Sequence, residues 1–176
     1  MPVFGAKAVL AAVSPGEANA LVREAFECHA RGEWEMPAKV YIDAGPEAVE
    51  ASGTAGDFRA MPARGGGLAM LKWVTSFPGN SARGLPVVTG ALLVSRAATG
   101  ELVAVLDTAS VTSLRTGAAA AVSAAALAAA GAGSVGIIGC GVNGTFAARS
   151  LAAAGYGRGV CSDVRTEDAE KLAAEL

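Results

Sequence analysis

Gly139, Gly141 and Gly144 stand at the G-x-G-x-x-G spacing. Before them "SVGII" reads as a buried strand, and after them "TFAARSLAAAG" reads as a helix. A strand, a glycine turn and a helix in that order leave few folds open. The first glycine permits the tight turn, the second lets a pyrophosphate approach the backbone, and the third allows close contact between helix and strand. The N-terminus of the helix then offers unpaired N–H groups to phosphate. "GVCSD" reads as the next strand, ending on Asp163 about 20 residues past the third glycine, and "TEDAEKLAAEL" as a second helix. Alternation of this kind specifies parallel strands joined by right-handed crossovers. Asp163 is placed to accept hydrogen bonds from ribose hydroxyls, which favours NAD, because a carboxylate repels a 2′-phosphate; Arg165 leaves room for NADP. The plain alternative is a glycine turn that holds no cofactor.

The chain ahead of this motif has another character. "SPGEANALVREAFECHARGE" places Ser14, Pro15 and Glu17 in a capping box, so a helix starts there. Ala18, Leu21, Val22, Ala25 and Phe26 form its apolar stripe, Gly32 stops it, and His29 reads as packed or half-buried. "KVYID" reads as a strand, "AGPEAVEASGTAGDFRAMPARGGG" as a loop-rich excursion and "LAMLKWVTSF" as a longer strand. "LPVVTGALLVSRAATGELVAVLD" contains two β-rich runs about a Thr-Gly turn, a hairpin signal. Asp107 can cap the following alanine-rich helix, which Gly131 and Gly133 end. The fold class expected is α/β: an α+β domain over residues 1–114, a connecting helix over 115–132, and the first β-α-β-α portion of a Rossmann domain over 133–176.

With 52% hydrophobic and 17% charged residues, the chain carries an extensive core. A net charge of −2 with scattered basic residues argues against nucleic acid and anionic membranes, and favours a small-molecule partner. Cys28, Cys140 and Cys161 lack C-x-x-C spacing, and with the single His29 they make only a weak case for a structural metal; no metal is expected, and the thiols read as buried in a reducing cytoplasm. The N-terminus has no basic region ahead of its short apolar run, so no signal peptide is read. Thr116 to Ala148 lacks any charge, yet its alanine and glycine content reads as a buried helix followed by a buried strand.

Four cations remain to be explained. Lys72 lies mid-strand on the same face as Met70 and Val74, with Leu71 and Trp73 opposite. It is either a group that binds an anion or a snorkelling lysine of an edge strand. Arg115 is the only charge between Asp107 and Arg149. It suits a bidentate grip on a carboxylate, or else a structural bond to Asp107 or a helix C-terminus. Lys39 and Arg59 complete the set, and convergence of the four would suit a small anionic substrate such as an amino or imino acid beside a nicotinamide.

The strings "MPAKVYID", "GDFRAMPA", "LKWVTSFPGNSARGLPVVTGALL", "TGELVAVLDTASVTSLRTGAAA" and "GIIGCGVNG" resemble the ornithine cyclodeaminase/mu-crystallin family, the first two most closely its alanine-dehydrogenase-like branch. The resemblance implies a substrate-binding and dimerisation domain followed by a dinucleotide-binding domain. It implies that Lys72 and Arg115 hold the substrate carboxylate in one cleft, and that Lys39 and Arg59 line the substrate and nicotinamide side, with Lys72 and Lys39 as the catalytic candidates. Thr116 stands at a cofactor-contacting position, Val142 and Asn143 match the pair that meets the pyrophosphate, and Asp163 matches the ribose acid. Val87 replaces a usual threonine, and Asn143 a usual glutamine. Family members continue well beyond this length, so a truncated N-terminal portion is expected, with an open sheet edge and an uncovered apolar face on "AEKLAAEL". The activities implied are NAD(P)-dependent oxidoreduction or cyclodeamination at the Cα–N bond of a small amino or imino acid by a homodimer. The alternative is a non-enzymatic, mu-crystallin-like protein binding cofactor and ligand.

Overall fold

The computed structural model describes residues 1–176. Its strands are β1 (Val3–Phe4), β2 (Val40–Asp43), β3 (Asp57–Gly65), β4 (Leu68–Ser76), β5 (Val88–Arg96), β6 (Leu102–Asp107), β7 (Ser134–Ile138) and β8 (Arg158–Ser162). The helices are α1 (Ala6–Ala12), α2 (Pro15–Ala30), α3 (Pro46–Ser52), α4 (Thr108–Leu127), α5 (Val142–Ala153) and α6 (Thr166–Glu175). The chain divides into two compact units, Met1–Val9 with Cys28–Val111 and Leu10–Glu27 with Thr112–Leu176. Most of α2 therefore belongs with the glycine motif in the second unit.

The first unit is built on a mixed six-stranded sheet ordered β1-β6-β5-β4-β3-β2, in which only β1 runs parallel to its neighbour. The excursion expected to be loop-rich is instead α3 and the nine-residue strand β3. Pro62 is what makes β3 hard to read, because proline cannot donate to a ladder. Here it costs no ladder bond. β2 pairs with β3 only over 57–60, and the next bonds on that side are those exchanged by Arg64 with Glu35, so Pro62 falls where β2 has ended. On its other side it still lies opposite Leu71.

The capping box closes as expected. Glu17 Oε2 accepts from Ser14 N at 2.8 Å and from Ser14 Oγ at 2.6 Å, and Ser14 Oγ accepts from Glu17 N at 3.3 Å. Replacing Ser14 by alanine should cost about 1 kcal/mol, read as a fall of about 3 °C in Tm by calorimetry. The stripe of α2 is narrower than expected. Ala18 and Cys28 are buried and Val22 and Ala25 half-buried, whereas Leu21 and Phe26 are exposed. His29 is exposed as well, with Nδ1 3.2 Å from the Trp34 carbonyl oxygen. Asp107 caps α4 by accepting from Ser110 N at 2.7 Å and Ser110 Oγ at 2.6 Å, and that helix stops at Leu127, ahead of Gly131.

In the second unit β7 and β8 pair in parallel, from Ser134 opposite Arg158 to Ile138 opposite Ser162. Ile137, Cys140, Ala148 and Leu151 form its core with Ala121 of α4 and Leu172 of α6. Leu172 is only 2% exposed and Ala169 packs against the same core, so the apolar face of "AEKLAAEL" is covered there, contrary to expectation, whereas Leu176 stays 56% exposed, as expected. The bare surface is the other face of the strand pair, where Ile138 is 92% exposed and Val160 lies open. Side chains of a strand alternate, so helices covering one face leave every second residue outside. No helix is long and apolar enough to cross a membrane.

Candidate functional site

The glycine turn is shaped by two of its glycines. Gly139 leaves β7 with φ +92°, a conformation that side chains disfavour. A Cβ on Gly144 would overlap the Gly139 carbonyl oxygen and stand 3.0 Å from the Gly139 carbonyl carbon. The first turn of α5 can therefore lie against the end of β7 only if residue 144 is glycine. Gly141, the N-cap, has open space where its Cβ would be, and no side chain caps the helix. The N–H groups of the first turn, at Val142, Asn143 and Gly144, thus lack a capping side chain, and the helix dipole favours an anion there. Val142 is exposed beside them.

Asp163 is tied to this turn. Its Oδ2 accepts from Cys140 N at 2.6 Å and its Oδ1 from Arg165 N at 2.9 Å. These backbone donors, Arg165 first and Cys140 second, hold the carboxyl below its ordinary value of 3.8. The carboxylate stays ionised through neutral pH, and each oxygen keeps a lone pair for a further donor. Since the folded value is depressed, the stabilisation is complete above 3.8 and is lost as pH falls through the folded value. The Cys140 and Arg165 amide resonances should accordingly titrate with a midpoint below 3.8, a shift that NMR across the acid range would read. Arg165 is itself ion-paired with Asp168.

Helix α4 brings two more of the expected residues to α5. A Cβ on Gly117 would overlap the Phe146 carbonyl, so the helices touch backbone to backbone there. Arg115 and Thr116 precede that contact. Burial lowers the pKa of Arg115 and no acid opposes it, although the residue itself is solvent-exposed. Thr116 Oγ1 is buried without a hydrogen-bond partner. A cradle at the α5 N-terminus that excludes side chains and an orphaned hydroxyl on the adjoining helix both fit a phosphate-bearing cofactor.

The other three cations lie in the first unit, on one face of its sheet. Lys72 of β4 stands between Met61 of β3 and Leu92 of β5 and is 7% exposed. Leu71 and Trp73, on the opposite face, are exposed. The lysine thus belongs to the buried face of an interior strand, which removes the snorkelling alternative. Arg59 lies opposite Val74 on one side and Tyr41 on the other, hence on the Lys72 face. Lys39 Nζ and the Arg59 Cζ stand 5.5 and 5.4 Å from the centroid of the Tyr41 ring, within reach of a cation–π attraction. Asp57 binds Arg59 side-on, through Nε and through Nη2 at 2.7 Å, which raises the guanidinium pKa further. An open cavity of about 340 Å³ lies on the other face, lined by Phe58, Thr75, Phe77, Arg83 and Thr89 among others.

Sequence reading missed Tyr41 and Asp57. Both are cross-strand or same-face neighbours of Arg59 only if residues 57–65 form a strand, and Pro62 hid that strand. Alternation of Asp57, Arg59 and Met61 was the available signal.

A strand, glycine turn and open helix N-terminus, with an acid just past the next parallel strand, form a β-α-β unit of the kind that can hold a dinucleotide. The model of the ornithine cyclodeaminase/mu-crystallin family matches residues 6–175, and the chain belongs to that family. It is 39% identical over 161 residues to an alanine dehydrogenase of Archaeoglobus fulgidus, covering 91% of this chain and 47% of that protein. It is 33% identical over 153 residues to a Delta(1)-pyrroline-2-carboxylate/Delta(1)-piperideine-2-carboxylate reductase of Azospirillum brasilense, covering 87% and 47%. An archaeal alanine dehydrogenase dimer with bound NAD superposes with a TM-score of 0.88 at 37% identity, over 98% of this chain and 52% of that one. The chain spans about half the length of the relatives it matches.

Proposed function

We propose that the protein is an NAD-dependent oxidoreductase acting at the Cα–N bond of a small amino or imino acid, in the manner of an alanine dehydrogenase. The observation that carries this reading is the buried Lys72 ammonium on the sheet face that also bears Lys39 and Arg59. Three cations gathered on one sheet face, one of them buried, suit charge-assisted recognition of a substrate carboxylate. We assign carboxylate recognition to Lys72 and Arg115, and the substrate side of the nicotinamide to Lys39 and Arg59, with Lys39 and Lys72 as the proton-handling candidates. Gly139, Gly141, Gly144, Val142, Asn143 and Thr116 would hold the pyrophosphate, and Asp163 the adenosine ribose. A nicotinamide supplies or accepts the hydride at Cα; the protein orients the acid and excludes water. In this scheme residues 1–114 carry the substrate and pair two protomers, 133–176 carry the cofactor, and 115–132 join them.

Asp163 stays ionised and Arg165 is engaged by Asp168, so NAD is the preferred cofactor. Calorimetry should find NADH binding tighter than NADPH, and Asp163→Ser should move the preference toward NADPH. Turnover is read as loss of NADH absorbance with pyruvate and ammonia, or with a cyclic imine. Tighter binding of NADPH by the unaltered protein would refute the cofactor assignment, and cofactor binding without any turnover would point to a binding protein instead.

A further inference from the structure

Arg59 does not face the substrate side as an uncompensated cation. Asp57 occupies its side-on edge, and Asp43 lies directly opposite Asp57 in the β2–β3 register. Tyr41 holds the Lys39 and Arg59 cations against one ring. Two acids and two bases therefore share this end of the face and their charges cancel. The end-on edge of the guanidinium keeps its donors, but a carboxylate arriving there meets the Asp57 charge beside it.

We propose that Asp57 is a specificity-determining residue that restricts the site to monocarboxylic substrates by neutralising Arg59, so that a second substrate carboxylate finds this guanidinium already opposed. This rests on the function proposed above. In the unaltered protein one carboxylate is matched by the buried lysine, and a dicarboxylic acid gains nothing further. Without Asp57 the guanidinium fork is released, and a planar fork binds a carboxylate through two parallel hydrogen bonds.

The test needs no turnover. Propionate and succinate are titrated into the full chain by calorimetry, without cofactor, and the ratio of their affinities is compared between variants. Asp57→Asn should raise the succinate-to-propionate ratio about tenfold. Asp57→Glu, which keeps a carboxylate for Arg59, should stay near the unaltered ratio. Asp43→Asn removes the same charge without freeing Arg59 and should change the ratio by less than about threefold. Asp57→Ser serves as the second variant should the asparagine chain misfold, with far-UV circular dichroism as the check. An unchanged ratio in folded Asp57→Asn or Asp57→Ser overturns the proposal, as does an equal rise in Asp43→Asn. A separate assay of the unaltered protein with pyruvate, ammonia and NADH tests the parent reading. Absence of turnover there refutes that reading and leaves the ratio to decide on Asp57, while failure of every variant to bind either anion overturns both.

Discussion

Replacing Gly144 by alanine should destabilise the protein by about 3 kcal/mol, lowering Tm by about 6–12 °C. The added methyl group would overlap the Gly139 carbonyl oxygen, and it would also stand 3.4 Å from Ile137 Cγ2. The obstacle is backbone, and it belongs to a residue already held at φ +92°, so it cannot rotate away as a long side chain would. Helix α5 must therefore lift from β7, pulling Ala148 and Leu151 out of register with Ile137 in the core. The first-turn N–H groups move with the helix, and NADH affinity should fall with stability. Gly141→Ala is the matched control. Its methyl group meets no protein atom within 4 Å, so Tm should drop by the equivalent of less than about 1 kcal/mol, while NADH binding weakens because the methyl group enters the space assigned to pyrophosphate. Equal losses of Tm in the two variants would contradict this division between packing and ligand contact.

Lys72→Met should separate chemistry from stability in the opposite sense. Methionine has nearly the length of the lysine stem and can fill the space between Met61 and Leu92, so the unfolding midpoint should move less than for Gly144→Ala. Turnover should fall about 10²–10³-fold in kcat/KM, because in the proposed function this ammonium helps hold the substrate carboxylate. Lys72→Arg should not restore it, since a planar guanidinium is larger than the point charge that the strand face accommodates. Steady-state kinetics beside thermal unfolding would decide. Full activity in Lys72→Met would make the lysine a structural group only.

How well the sequence could be read depended on the range over which each feature is decided. The Ser14–Glu17 box, the Asp107 cap and the glycine turn were legible because each involves backbone geometry within a few residues. The family blocks were legible for the same reason, as contiguous strings. Strand β3 was not, because Pro62 is a breaker by any local rule and becomes harmless only once β2 is known to end before it. The exposure of Leu21 and Phe26 was equally illegible, since periodicity gives the apolar stripe of a helix without saying how wide a face its neighbours cover.

The sequence by itself determined the class of the second unit and the place of its glycine turn, because a strand, a glycine turn, a helix and an acid at the next strand end follow one another along the chain. Tertiary structure alone decided that Lys72 is on the buried face and Trp73 on the open one. It alone brought Asp57 and Tyr41 to Arg59, and Gly117 of α4 to the Phe146 carbonyl. The physical reason is that strand alternation names two faces without ranking them, and that register and helix packing are set by partners distant in the chain, where burial free energy outweighs local preference.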